Sequence, residues 1–160
     1  MVKVALQLKA RFENLTNLRP VGEDFRWYLK LRCANCGEIP DHWQYVTLTE
    51  SHPLKGGRGH ASLVTKCKLC ARENSIDIIP DSLGKVTSDS TEFQTVVIFD
   101  CRGMEPTDFD ARVGWAAEGE ESGTPFTDID LNEKEWVDYD TKVNASVGIY
   151  ELEHRFVHAK

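Results

Sequence analysis

The chain has 160 residues, 41% of them hydrophobic and 28% charged, with a formal charge of −7. That length fits one domain or two small ones, and the composition is too apolar for disorder. Its longest aliphatic or aromatic run, Val96 to Phe99, falls far short of the roughly 20 residues a membrane helix needs, which excludes a helical membrane protein.

At the start, Val2, Val4, Leu6, Leu8, Ala10 and Phe12 alternate with Lys3, Ala5, Gln7, Lys9 and Arg11, the period of a half-buried strand. The interleaved lysines leave no apolar block of the secretory kind, so cytosol or nucleus is the expected compartment. Phe25, Trp27, Leu29 and Leu31 alternate in the same way and run into Cys33. Trp43 to Leu48 is aromatic and β-branched, and Ser51 to Gly59 reads as a flexible loop from its proline and glycines. Ala61 to Lys66 is a strand leading into Cys67, and Ser75 to Ile79 leads out of the second cysteine pair.

Asp81 to Thr91 holds little to bury. It is the candidate linker between residues 1–80 and residues 92–160, or a surface segment of one compact unit. The first stretch, 1–80, carries 12 Lys/Arg against 8 Asp/Glu; residues 81–160 carry 7 against 18. Phe93 to Phe99 and Gly148 to Val157 are β-like, whereas the acidic segment Gly103 to Asp140 is expected as ordered loops packed over a sheet. Thr127 to Tyr139 supports at most a turn or two of helix. Phe12-Glu13 followed by Leu18-Arg19-Pro20 echoes Phe99-Asp100 followed by Met104-Glu105-Pro106, which a duplication or chance would explain. The expected class is mainly β, built of antiparallel sheets.

The chemistry lies in Cys33-Ala34-Asn35-Cys36 and Cys67-Lys68-Leu69-Cys70, two C-x2-C pairs thirty residues apart. Such a turn lets two thiolates chelate one ion, so two turns complete the tetrahedron that zinc prefers. Each pair lies between predicted strands, as in a zinc ribbon. Gly37 after the first pair supplies the permissive backbone a knuckle favours, whereas Ala71 does not. A redox C-x2-C would need a βαβ context that the pattern lacks. Iron fits a four-thiolate site as well, but nothing in the sequence suggests electron transfer, so one structural Zn2+ is expected. Four protein ligands leave no position for activated water.

Cys101 reads as a core residue or spare thiol, and His42, His52, His60, His154 and His158 are given no ligand role. The acidic residues Asp108, Asp110, Glu118, Glu120 and Glu121 read as a solvated loop rather than catalytic pairs, and no hydrolase or phosphate-loop motif is present. The chain is therefore expected not to be an enzyme. Lys30, Arg32, Lys55, Arg58, Lys66, Lys68 and Arg72, with Trp27, Tyr28, Trp43 and Tyr45, form a candidate nucleic-acid face, the alternative function; lysines on strand edges also serve simply against aggregation.

Asn17 to Tyr28, Cys33 to Gly37, Leu54 to Gly59, Lys66 to Cys70 and Cys101 to Gly103 together resemble the eukaryotic CXXC motif containing zinc binding protein family. Gly119 to Gly123 and Ser146 to Glu151 match its pattern too, so the resemblance spans nearly the whole chain. It implies a β-rich fold of two similar halves with one zinc held by Cys33, Cys36, Cys67 and Cys70. It implies no reaction. A contact with the copper chaperone for superoxide dismutase, proposed for that family, makes a protein partner or a role in metal homeostasis the functional expectation. Two routes to it are open: steering by the acidic stretch from Glu118 to Glu135, and Cu(I) transfer through Cys101.

Overall fold

The computed structural model describes residues 2–54 and 59–159. The first alternating segment forms β1 (Val2–Glu13), with Val4, Leu6 and Leu8 buried on the predicted parity. A left-handed Asn14 turns the chain into β2 (Leu15–Pro20). The second alternating segment forms β3 (Trp27–Cys33), in which every odd-numbered residue is buried. Only Gln44–Val46 of the aromatic stretch that follows is a strand, β4.

The glycine-rich loop predicted over Ser51 to Gly59 lies partly outside the described residues; its flanks pair as β5 (His52–Pro53) and β6 (His60–Ala61). Next come β7 (Leu63–Lys66) and β8 (Glu73–Ile78), an antiparallel hairpin around the second cysteine pair. A short 3-10 turn, Pro80–Ser82, precedes β9 (Gln94–Arg102).

The acidic segment differs from expectation. In place of loops it supplies β10 (Met104–Asp110), β11 (Trp115–Gly119), β12 (Pro125–Ile129) and β13 (Trp136–Asp140), followed by β14 (Ala145–Ala159). Apolar residues of the first three of these strands, among them Phe109, Trp115, Ala117 and Ile129, enter the core. Of the acidic residues in β10 to β13, Asp128 and Asp138 are exposed, Glu105, Asp108, Asp110 and Glu118 half-buried and Asp140 buried, and it is this half-charged composition that resembles a loop. Thr127 to Tyr139 contains strand and turn but no helix.

A six-stranded antiparallel sheet runs β13-β14-β1-β9-β8-β7, and two three-stranded sheets run β10-β3-β4 and β12-β11-β2. Exchanging β1 with β9, β14 with β8 and β13 with β7 returns the first order reversed. Exchanging β2 with β10, β3 with β11 and β4 with β12 interconverts the other two. The molecule is thus two similar halves about an axis between β1 and β9. The echo read in the sequence has a different register: Leu15 and Met104 begin the matching strands, each opposite the last residue of its partner, Gly119 or Cys33.

Strands from before and after residues 81–91 share the large sheet, and one apolar cluster joins Leu6, Leu8, Trp27, Phe99, Trp115 and Ile149. Within 81–91, Val86 is 1% exposed, and its backbone exchanges hydrogen bonds of 2.8 and 2.9 Å with Leu18.

Candidate metal centre

Both cysteine pairs are built in the same way. Cys33 ends β3, where its N–H donates to Glu38 O at 2.9 Å and its carbonyl accepts from Gly37 N–H at 2.8 Å. At the tip of the β7–β8 hairpin, Cys67 N–H donates to Arg72 O at 2.9 Å and Cys67 O accepts from Ala71 N–H at 2.8 Å. Such closure requires a left-handed residue after the second cysteine, and both Gly37 (φ 83) and Ala71 (φ 65) adopt it. The sequence argument that Ala71 is unsuited to the position is therefore overridden by the knuckle, which holds its Cβ in a conformation that glycine tolerates better.

The knuckles face each other. Cys33 Sγ lies 3.7 Å from Cys70 Sγ, Cys36 Sγ lies 3.5 Å from Cys67 Sγ, and all four sulfurs fall within 4.8 Å of one another. Zinc–sulfur bonds of about 2.3 Å in a tetrahedron demand sulfur separations of about 3.8 Å. The donor set and its dimensions therefore fit one zinc ion.

Ionisation is uneven across the set. The Cys36 N–H and then the Asn74 side chain hold the Cys33 thiol down to about 6. Cys70 is also lowered, first by the Asn35 side chain and then by the Arg72 N–H. The Glu38 N–H draws Cys36 down as well, but burial and the neighbouring sulfurs prevail and push it up to about 12. Thiolates this crowded repel one another unless a cation sits between them, and zinc supplies that charge. Asn74, buried beside Cys33, carries no motif; only its place four residues after Cys70 connects it to the site in sequence.

Other sequence candidates lie elsewhere. Cys101 is 2% exposed in the core and lies outside the four-sulfur cluster, and burial, which pushes its thiol up to about 12, disfavours it as a nucleophile. His154 and His158 share a face of β14, where they meet Asp108 at 3.3 Å and Glu105 at 3.8 Å on β10. His42 lines a cavity of about 320 Å³ beside the cluster, together with Leu31, Thr65, Lys66 and Met104.

The candidate nucleic-acid face divides. Trp27 is buried, Lys30 pairs with Asp41 at 3.5 Å and Arg32 with Glu105 at 3.2 Å, while Lys66, Lys68 and Arg72 are exposed around the second knuckle. Lys55 and Arg58 lie outside the described residues. Of the acidic stretch, Glu120, Glu121, Asp128, Asp130, Glu133 and Glu135 are exposed. Among the described residues no helix is long and apolar enough to cross a membrane.

A closed four-thiolate centre between two knuckles, set in an all-antiparallel β scaffold, defines a zinc-binding β protein. The family model for the eukaryotic CXXC motif containing zinc binding protein matches residues 5–157, and the chain belongs to that family. It is 64% identical to the Xenopus laevis protein of that name over 98% of each chain. It is 63% identical to the Homo sapiens protein, over 98% of this chain and 99% of that one. The crystal structure of C1orf123 superimposes with a TM-score of 0.94 at 62% identity, covering 98% of this chain and 99% of that one. A hypothetical protein from Plasmodium falciparum, 23% identical with a TM-score of 0.87 over 98% of this chain and all of that one, shares the fold.

Proposed function

We propose that this protein is a non-enzymatic interaction protein, with a place in metal homeostasis, whose zinc is a structural staple. One observation carries the reading: four cysteine sulfurs within 4.8 Å supply a complete tetrahedral ligand set, which leaves no coordination position for water or substrate. Its first test is metal content. Protein purified without chelator should carry one equivalent of zinc, and less than half an equivalent with no iron in its place would end the reading.

The partner proposed is the metal-binding domain of the copper chaperone for superoxide dismutase, the contact that the family resemblance implies. Support on this chain comes from the exposed acids between Glu120 and Glu135, which suit steering of a basic surface. The route through Cys101 has no such support, because that thiol is enclosed. In an NMR titration of the partner domain, shifts that weaken from low to physiological salt are expected. No shift at either salt would remove the partner. Nucleic-acid binding, the alternative, predicts a gel shift at physiological salt that weakens when Lys66 and Lys68 are both replaced by alanine.

A further inference from the structure

The second half repeats the backbone of the metal centre without its sulfurs. In the first half, Cys33 N–H donates to Glu38 O, Gly37 N–H to Cys33 O and Ala34 N–H to Gly103 O, at 2.9, 2.8 and 2.9 Å. In the second, Gly119 N–H donates to Thr124 O, Gly123 N–H to Gly119 O and Glu120 N–H to Asn14 O, at 2.9, 2.9 and 3.0 Å. The three bonds recur one for one. Gly123 (φ 71) stands for Gly37 (φ 83), and Asn14 (φ 52) stands for Gly103 (φ 81). The β13–β14 turn answers to the β7–β8 turn likewise: Asp140 pairs with Ala145 as Cys67 bonds to Arg72, and Asn144 (φ 51) takes the place of Ala71 (φ 65). Gly119, Ser122, Asp140 and Val143 therefore occupy the positions of Cys33, Cys36, Cys67 and Cys70.

A carboxylate fills the centre. Asp140 is 1% exposed, and one of its oxygens accepts from Ser122 Oγ. Its other oxygen accepts from Thr124 Oγ1 at 3.0 Å and from Lys142 N–H at 3.0 Å. Lys142 Nζ also reaches back to Ser122 O at 3.3 Å. An added Cβ at Gly119 would lie 2.7 Å from Asp140 Oδ2 and against Ser122 Oγ. The direction in which Cys33 carries its sulfur toward the metal is thus, at Gly119, taken up by the Asp140–Ser122 pair.

We infer that Asp140, with Ser122 and Thr124, is the metal-free counterpart of the zinc centre and ties the 119–124 knuckle to the β13–β14 turn as zinc ties the two cysteine knuckles. The inference rests on the structural role given to zinc above. It makes one staple of a symmetric molecule dependent on metal supply and the other independent of it.

The test uses the full-length, zinc-loaded protein. Hydrogen bonds to a charged acceptor are stronger than those to a neutral one, so Asp140→Asn should speed amide exchange at Gly119 and Gly123 by about tenfold or more. One equivalent of zinc and the protection of Cys33 and Gly37 should be kept. Unchanged exchange at Gly119 and Gly123 would overturn the inference. A second variant covers the case in which Asp140→Asn does not fold. Gly119→Cys, Ser122→Cys, Asp140→Cys and Val143→Cys made together should raise zinc to two equivalents, with twice the cobalt–thiolate absorption on Co2+ substitution; retention of one equivalent would equally overturn it. Loss of the zinc reading itself would show separately, as missing metal in the unaltered protein.

Discussion

Ala71 holds a φ of 65°, where glycine would be free of strain, and Gly37 holds the equivalent position at 83°. Left-handed backbone costs a residue with a Cβ roughly 1–2 kcal/mol, part of which the greater unfolded-state entropy of glycine cancels. Ala71→Gly should therefore raise, and Gly37→Ala lower, the free energy of unfolding by about 1 kcal/mol, read from denaturant midpoints at saturating zinc. Cys33→Ala is a larger change, because it removes a ligand from a site whose binding energy is folding energy. It should abolish stoichiometric zinc and lower the denaturant midpoint of the whole chain by more than Gly37→Ala does, because both halves share one core. Stability also depends on pH through Asp140. The Ser122 hydroxyl, together with Lys142 and Thr124, outweighs burial and holds its carboxyl below the usual range. A lowered folded pKa contributes stability that is fully present above the unfolded value of about 3.9 and is lost as pH falls through the folded one. The melting temperature of the parent should exceed that of Asp140→Asn near neutral pH, and the gap should close only below about pH 4.

At the scale of elements, β3 and β11 meet through their tryptophans. Trp27 and Trp115 are perpendicular with centroids 6.0 Å apart, and Phe25 lies edge-on to both at 4.7 and 5.1 Å. Trp115 Nε1 also donates to Ala111 O at 2.9 Å. Trp115→Phe should cost about 1–3 kcal/mol through the orphaned carbonyl, and Trp27→Ala about 3–5 kcal/mol through the cavity. Both are measurable by calorimetry. Elements of clean alternation were legible in the sequence: β1 and β3 appear within a residue or two of where the period of two places them. β12 was not, and the reason is geometric. Trp115 pairs with Ile129 while Ala117 pairs with Phe126, a bulge at which Asp128 takes a φ of 55°. The inserted residue sets the buried Phe126 and Ile129 three apart, which mimics a helical spacing inside an acidic strand.

For the molecule as a whole, the shared sheet decides how far the loss of zinc is felt. Residues from both halves enter one apolar cluster, and β8 hydrogen-bonds directly to β9. Chelation should therefore lower the melting temperature of the entire chain in one transition, whereas two separate transitions in calorimetry would show halves that melt independently. By itself the sequence determined the β class, the four-cysteine cluster and its match to zinc, because period-two alternation and C-x2-C spacing are local patterns that act over a few residues. The two similar halves were expected only through the family resemblance, and the echo at Phe12 and Phe99 missed their register, since matching backbone positions such as Asn14 and Gly103 share no side-chain chemistry. Only the tertiary structure brought Ser122 and Thr124 to Asp140, closed Cys101 into the core and turned acidic stretches into paired strands. Those outcomes depend on contacts between residues far apart in the chain, where burial and hydrogen bonding decide what composition leaves open.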